Sequence, residues 1–255
     1  MLDYRPLHEI IHAQGLRLVL VKGFPSPWGQ AAKTLFEIKG LPFIVAGQEG
    51  GGTNEELLAW AGENSGPVVA WNDEKPLSRW LDILLLAERL APTPSLLPSA
   101  VHDRALMIGL ANELCGELGV GWNRRLQMFG PMIEAGNPPE GITRMGSKYG
   151  YSKAAAEAAG GRVAAQLAAL DAQLQAQQVR GREFFIGEQL SALDIYWVAF
   201  MNLIDLLPMA QCPVPEAMRP MFTCRDPQVL AALTPRLMAH RDHVFKTYFR
   251  NPMEL

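Results

Sequence analysis

Cysteine is scarce in this 255-residue sequence: Cys115, Cys212 and Cys224 are the only three, and they stand far apart. That excludes a disulfide framework or a thiolate metal cluster and suits a reducing compartment. Long uncharged apolar runs are missing too. The longest apolar segment, Leu190 to Ala210, carries Asp194 and Asp205 and is cut at Pro208, so it reads as a buried core helix. Neither charge sign is in large excess: 23 basic and 26 acidic residues leave a net charge of −3. A nucleic-acid polyelectrolyte binder is therefore not expected. The opening stretch MLDYRPLHEIIHAQG mixes charges with its few apolar residues and lacks a secretory pattern. Gly50-Gly51-Gly52 has no Lys-Ser/Thr behind it and reads as a flexible turn, not a phosphate loop. His8 and His12 have i, i+4 spacing but no third ligand, so a surface helix is expected there and no metal. These absences leave a soluble, cytoplasmic protein with no membrane and no nucleic-acid partner.

What is present is an ordinary globular composition, 49% hydrophobic and 19% charged, written in two grammars. Residues 1 to 90 alternate strand-like and helix-like stretches. Leu16 to Phe24 is an apolar, β-branched run that ends at a Pro/Gly cluster. Ser26-Pro27 then opens a helix that Gly40 closes, the usual proline-first, glycine-last order. Leu41 to Ala46 predicts a second strand, NEELLAWAGEN a helix, and Val68 to Trp71, introduced by Gly66-Pro67, a third strand. Leu77 to Leu90 predicts a third helix, and a short helix holding Ile10 and Ile11 precedes the first strand. A βαβ start implies a partly parallel sheet covered by helices.

The stretch 91–99, APTPSLLPS, has three prolines in nine residues and marks a linker. Beyond it, residues 100–255 predict helices alone. One runs from Val101 to Phe129 with an interruption near Gly119–Gly121, and residues 136–150 read as a loop. Lys153 to Gln178 carries Val163, Leu167, Leu170 and Leu174 along one face. Further helices start at Ser191 and Pro235.

Three features come in a telling order: Ser26-Pro27 at a helix start, Gly66-Pro67 at a strand start, and Ser191-Ala192-Leu193-Asp194 after Phe185-Ile186-Gly187. Together, over about residues 16–207, they resemble the glutathione transferase superfamily, and the last is similar to its Gly-x-x-Ser/Thr-x-x-Asp folding signature. The resemblance implies an α/β thioredoxin-like domain (residues 1–90, with a short N-terminal extension) followed by an all-α helical bundle domain (residues 100–255). In the signature, Ser191 and Asp194 form a capping box with Leu190 and Ile195 as its apolar staple, so a folding role is expected.

The resemblance also implies glutathione as co-substrate, with no metal. Ser26 would be the catalytic hydroxyl that hydrogen-bonds the glutathione sulfur. The thiolate is the nucleophile, and a helix N-terminus plus a hydroxyl donor both favour it. Ser before Pro is also simply a good N-cap and N1 pair, so that plainer role stays open. Trp28 would wall the thiol pocket or pack on the second domain. Gly66-Pro67 resembles the cis-proline turn that pairs with the cysteinyl backbone, which adds Gly66, Pro67 and Val68 to the glutathione site. Most members carry Glu-Ser at the start of the third helix; here the pair is Leu77-Ser78 or Ser78-Arg79, so Ser78 remains and the carboxylate does not. Asp73 or Glu74 could replace it. Trp122, Arg125 and Phe129 are the candidates for the pocket of a small hydrophobic electrophile, and members of the family are usually homodimers. A non-catalytic binding module, or a glutathione-independent isomerase or lyase in the same cleft, is the rival reading.

Overall fold

The computed structural model describes residues 2–255. Strand β2 (Leu16–Val21) is the spine of the first half. Leu16, Leu18 and Leu20 join the main core, whereas Val19 enters a smaller cluster with Ile10, Ala46, Leu57 and Val68. Helices thus cover both faces of the sheet, which is why this strand is a continuous apolar run instead of an alternating one. Strand β3 (Phe43–Gln48) pairs parallel to β2, with Leu16 against Phe43. Strand β4 (Val68–Trp71) pairs antiparallel on the other side, with Leu16 against Trp71. The order β1-β3-β2-β4 is completed by β1 (Tyr4–Arg5), a parallel edge strand of two residues too short to leave a pattern. The short helix expected before β2 is α1 (Leu7–Ile11), with Ile10 buried.

The intervening helices are α2 (Pro27–Ile38), α3 (Glu55–Ala61) and α4 (Trp80–Leu90). Two boundaries differ from expectation. The second strand starts at Phe43, not Leu41, because Leu41 closes α2. Its N–H donates to Phe36 O (2.9 Å) and that of Gly40 to Glu37 O (3.0 Å), with Gly40 at φ 65°. The third long helix starts at Trp80, not Leu77, because Leu77 exchanges both backbone hydrogen bonds with Val69 (2.7 and 2.8 Å) as a β-bridge.

After the proline-rich stretch come α5 (Val101–Cys115), α6 (Val120–Glu134), α7 (Glu140–Lys148), α8 (Lys153–Val179), α9 (Ala192–Met201), α10 (Arg219–Phe222), α11 (Pro227–Ala232) and α12 (Pro235–Tyr248). The break in the first long helix falls at residues 116–119, just before the expected Gly119–Gly121, and Leu118 takes φ 63° there. The expected loop at 136–150 contains α7. Ile142, Met145 and Tyr149 pack against α6, but Gly141 and Gly146 break the apolar rhythm by which a helix is recognised. Gly146 is there for contact: a Cβ would lie 2.6 Å from Ile133 Cδ1.

All ten residues of α9 are buried, as expected for the core helix, and α2 packs along it. No helix among the described residues is long and apolar enough to cross a membrane. The capping box is present. Asp194 Oδ2 accepts from Ser191 N (2.9 Å) and Ser191 Oγ (2.7 Å), and Leu190 and Ile195 join the core around it.

Candidate functional site

A cleft of about 1100 Å³ opens between the sheet-bearing half and the helices α5 to α7. Ser26, Trp28, Gly66, Pro67, Ser78, Trp122, Arg125 and Phe129 all line it. Residues 26 to 129 of the sequence are thus brought onto one surface. Val68 is not: its side chain is fully buried in the second cluster and its backbone pairs with Val19.

At one end, Ser26 occupies the N-cap position of α2. Its carbonyl accepts from Gln30 N (2.8 Å), but its hydroxyl makes no cap bond. Pro27 at the first helical position leaves one fewer N–H to satisfy. Ser26 therefore stands at a helix N-terminus on the cleft wall, with a hydroxyl that makes no cap bond. Ser26 and Pro27 do take the N-cap and first helical positions of the plainer reading, though without a side-chain cap bond.

Trp28 lies on the cleft and also packs on the helical half. Its Nε1 donates to Cys115 O at the end of α5 (2.9 Å) while its ring meets Phe200 edge-on at 4.9 Å. Opposite, the Gly66-Pro67 bond is cis. A Cβ on Gly66 would lie 2.6 Å from Val19 O, so only glycine lets the turn approach β2 this closely. Leu77 pairs with β4 at Val69 and leaves the Ser65–Pro67 stretch along the cleft.

The head of α4 departs further from the Glu-Ser pattern than either sequence alignment does. Its N-cap is Arg79 and its first residue Trp80, so Ser78 lies one residue ahead of the cap. Asp73 and Glu74 are engaged elsewhere. Gln14 Nε2 donates to Asp73 (3.1 Å), and Arg89 Nη1 donates to Glu74 (3.0 Å). The carboxylates that do line the cleft are Asp82, in the first turn of α4, Glu63 and Glu117. Asp82 did not stand out in sequence, because a lone acid in a helical first turn is also a common dipole partner.

The far end is aromatic. Trp122 meets Tyr149 edge-on at 4.8 Å and donates Nε1 to Tyr149 O (2.9 Å), and Phe129 lies 6.2 Å from the same ring. Burial pushes the Tyr149 phenol up, with Arg125 beside it pulling the other way. Helix α7 straps this end to the sheet-bearing half: Arg144 Nε donates to Gly51 O (2.9 Å), and Lys148 Nζ donates to Ser65 Oγ. Desolvation pulls the Lys148 ammonium below its ordinary value; Glu63 opposes this and Arg125 adds to it. No group of three metal-ligating side chains exists among the described residues.

A hydroxyl at a helix N-terminus, an extended backbone edge and an apolar chamber can together hold a thiol-bearing peptide and a small organic molecule side by side. No protein-family model and no curated protein matches the sequence. Solved structures do match. A tau-class glutathione transferase from mango, Mangifera indica, gives a TM-score of 0.52 at 22% identity, over 90% of this chain and 97% of that one. A rice glutathione transferase in complex with glutathione gives 0.59 at 22% identity, over 94% and 93%. A glutathione S-transferase from Xanthobacter autotrophicus gives 0.60 at 17% identity, over 94% and 98%. The chain has the glutathione transferase fold.

Proposed function

We propose that this protein is a glutathione transferase-like enzyme in which Ser26 favours the glutathione thiolate and the aromatic end of the cleft receives a small hydrophobic electrophile. The observation that carries this reading is the Ser26 hydroxyl, which stands at the head of α2 on the cleft wall with no cap bond to make. A thiol has an ordinary pKa of about 8.5, and each unit of depression needs ~1.4 kcal/mol of preference for the charged form. The helix N-terminus and a donated O–H both act in that direction. The cysteinyl backbone would pair at Gly66, beside the cis-proline, as an added strand. Val68, whose backbone already pairs with Val19, would hold the turn in place without touching the peptide. The glutamyl end would meet Ser78, with Asp82 in place of the usual glutamate.

In the reaction, the thiol proton leaves to solvent and the sulfur lone pair forms a bond to an electrophilic carbon. A leaving group departs with its electron pair, or the product of an addition takes a proton. No metal enters. A homodimer acting in the cytoplasm belongs to the same proposal.

A second reading rests on Arg79-Trp80. With a cation at that helix head, the cleft could serve a non-catalytic binding module or a glutathione-independent isomerase or lyase. Initial rates of glutathione transfer to a chlorodinitrobenzene separate these. Ser26→Ala is expected to lower kcat/KM ~10–100-fold, the size of a hydrogen bond to a charged group. An unchanged rate in the variant, or none in wild type, counts against the first reading.

A further inference from the structure

Sequence offers Arg124 and Arg125 as an indistinct basic pair, and the structure treats them oppositely. Arg124 is turned into the protein, where its Nε donates to Leu203 O (2.9 Å) and its Nη1 to Gln127. Arg125 is turned to the cleft. Its guanidinium lies 5.9 Å from the Phe129 ring centroid, and its Nε is shut from solvent with no hydrogen-bond partner. Its neighbours are the Met128 sulfur at 3.8 Å and the Tyr149 phenol; it forms no ion pair among the described residues. Lys148 brings a second positive charge close enough for the two to repel, and Glu63 faces Lys148. An arginine beside an aromatic ring, with its Nε shut from solvent and unbonded and no carboxylate paired to it, keeps donors free for an anion. Planar donor forks of this kind match a carboxylate with two parallel hydrogen bonds.

Building on the transferase reading, we infer that the second substrate is a small apolar electrophile carrying a carboxylate, which Arg125 grips while Lys148 flanks it. The aromatic wall of Trp122 and Phe129 takes the substrate's apolar body, and its reactive carbon then points toward the Ser26 end of the cleft.

The test compares a chlorodinitrobenzoate with the matching chlorodinitrobenzamide, which has the same shape and leaving group but no charge. In either transfer the sulfur–carbon bond forms, the carbon–chlorine bond breaks, chloride leaves and the thiol proton passes to solvent. Wild type is expected to favour the acid in kcat/KM, relative to the uncatalysed rates. Arg125→Met is expected to cut that preference at least about tenfold, as loss of a charge-assisted hydrogen bond requires. An unchanged preference in a folded Arg125→Met overturns the proposal. Calorimetric titration of each compound into wild type without glutathione reads the same preference on binding alone. Tighter binding of the acid supports the proposal, and equal affinities overturn it. Acid preference with no glutathione binding instead removes the transferase reading and leaves the carboxylate site standing.

Discussion

Asp194 shows how much a single residue gains from the fold. The capping box predicts a local role, with a cost of ~1–2 kcal/mol for its loss. In the folded protein the side chain is fully buried, and Oδ1 also accepts from Phe185 N (3.0 Å) and contacts His240 Nε2 (2.9 Å). Removing it strands several buried polar groups at once, so Asp194→Ala is expected to lose ~3–5 kcal/mol in urea unfolding. A loss near 1 kcal/mol would mean that only the cap matters. The Ser191–Asp194 half of this network was legible because it is local. His240 was not, since no periodic pattern links positions 194 and 240. The same limit applies in the cleft. Ser26 and Gly66-Pro67 announce themselves by their turn chemistry, whereas Asp82 and Glu63 reach the cleft only through tertiary packing.

At the scale of elements, apolar period and punctuation carried most of the architecture. β2, α2 and α8 are bounded by Gly and Pro or marked by regular leucines, and each lies near where the pattern puts it. α7 escaped because its glycines answer to contacts that sequence does not display, Gly141 with the backbone of Gly51 and Gly146 with Ile133 of α6. Gly121 is a similar case at the head of α6, where a Cβ would lie 2.5 Å from Phe200 Cε1 and 2.7 Å from Trp28. It allows α6 to pack directly on the tryptophan that joins α2 to α5. Gly121→Ala is expected to cost ~1–3 kcal/mol by overpacking and to shift tryptophan fluorescence as Trp28 is displaced. Retention of wild-type stability and emission would show that this junction is loose.

The whole molecule has an alkaline limit. Burial pushes Tyr4 up to about 12, with Glu254 adding to it, and burial likewise raises Tyr149 and Tyr196 above the ordinary value of 10.0. A raised folded pKa means that the unfolded chain gives up these protons first. The contribution to stability is therefore complete below pH 10 and is lost as pH climbs toward about 12. Tyrosinate absorbance is expected to rise together with loss of helical signal in that window; free titration of these phenols in a folded protein would contradict it. The fold itself was legible as alternating elements followed by helices, because that grammar spans tens of residues. The cleft between the halves was legible only through resemblance, since it exists only when Trp28 meets Cys115 and α7 reaches Gly51. The most direct test of the central claim is a titration of glutathione into wild type and Ser26→Ala, recording heat and thiolate absorbance near neutral pH. The account predicts saturable binding to both, with a thiolate signal in wild type that the variant loses. No binding to wild type at millimolar glutathione, or an equal thiolate signal in the variant, would contradict it.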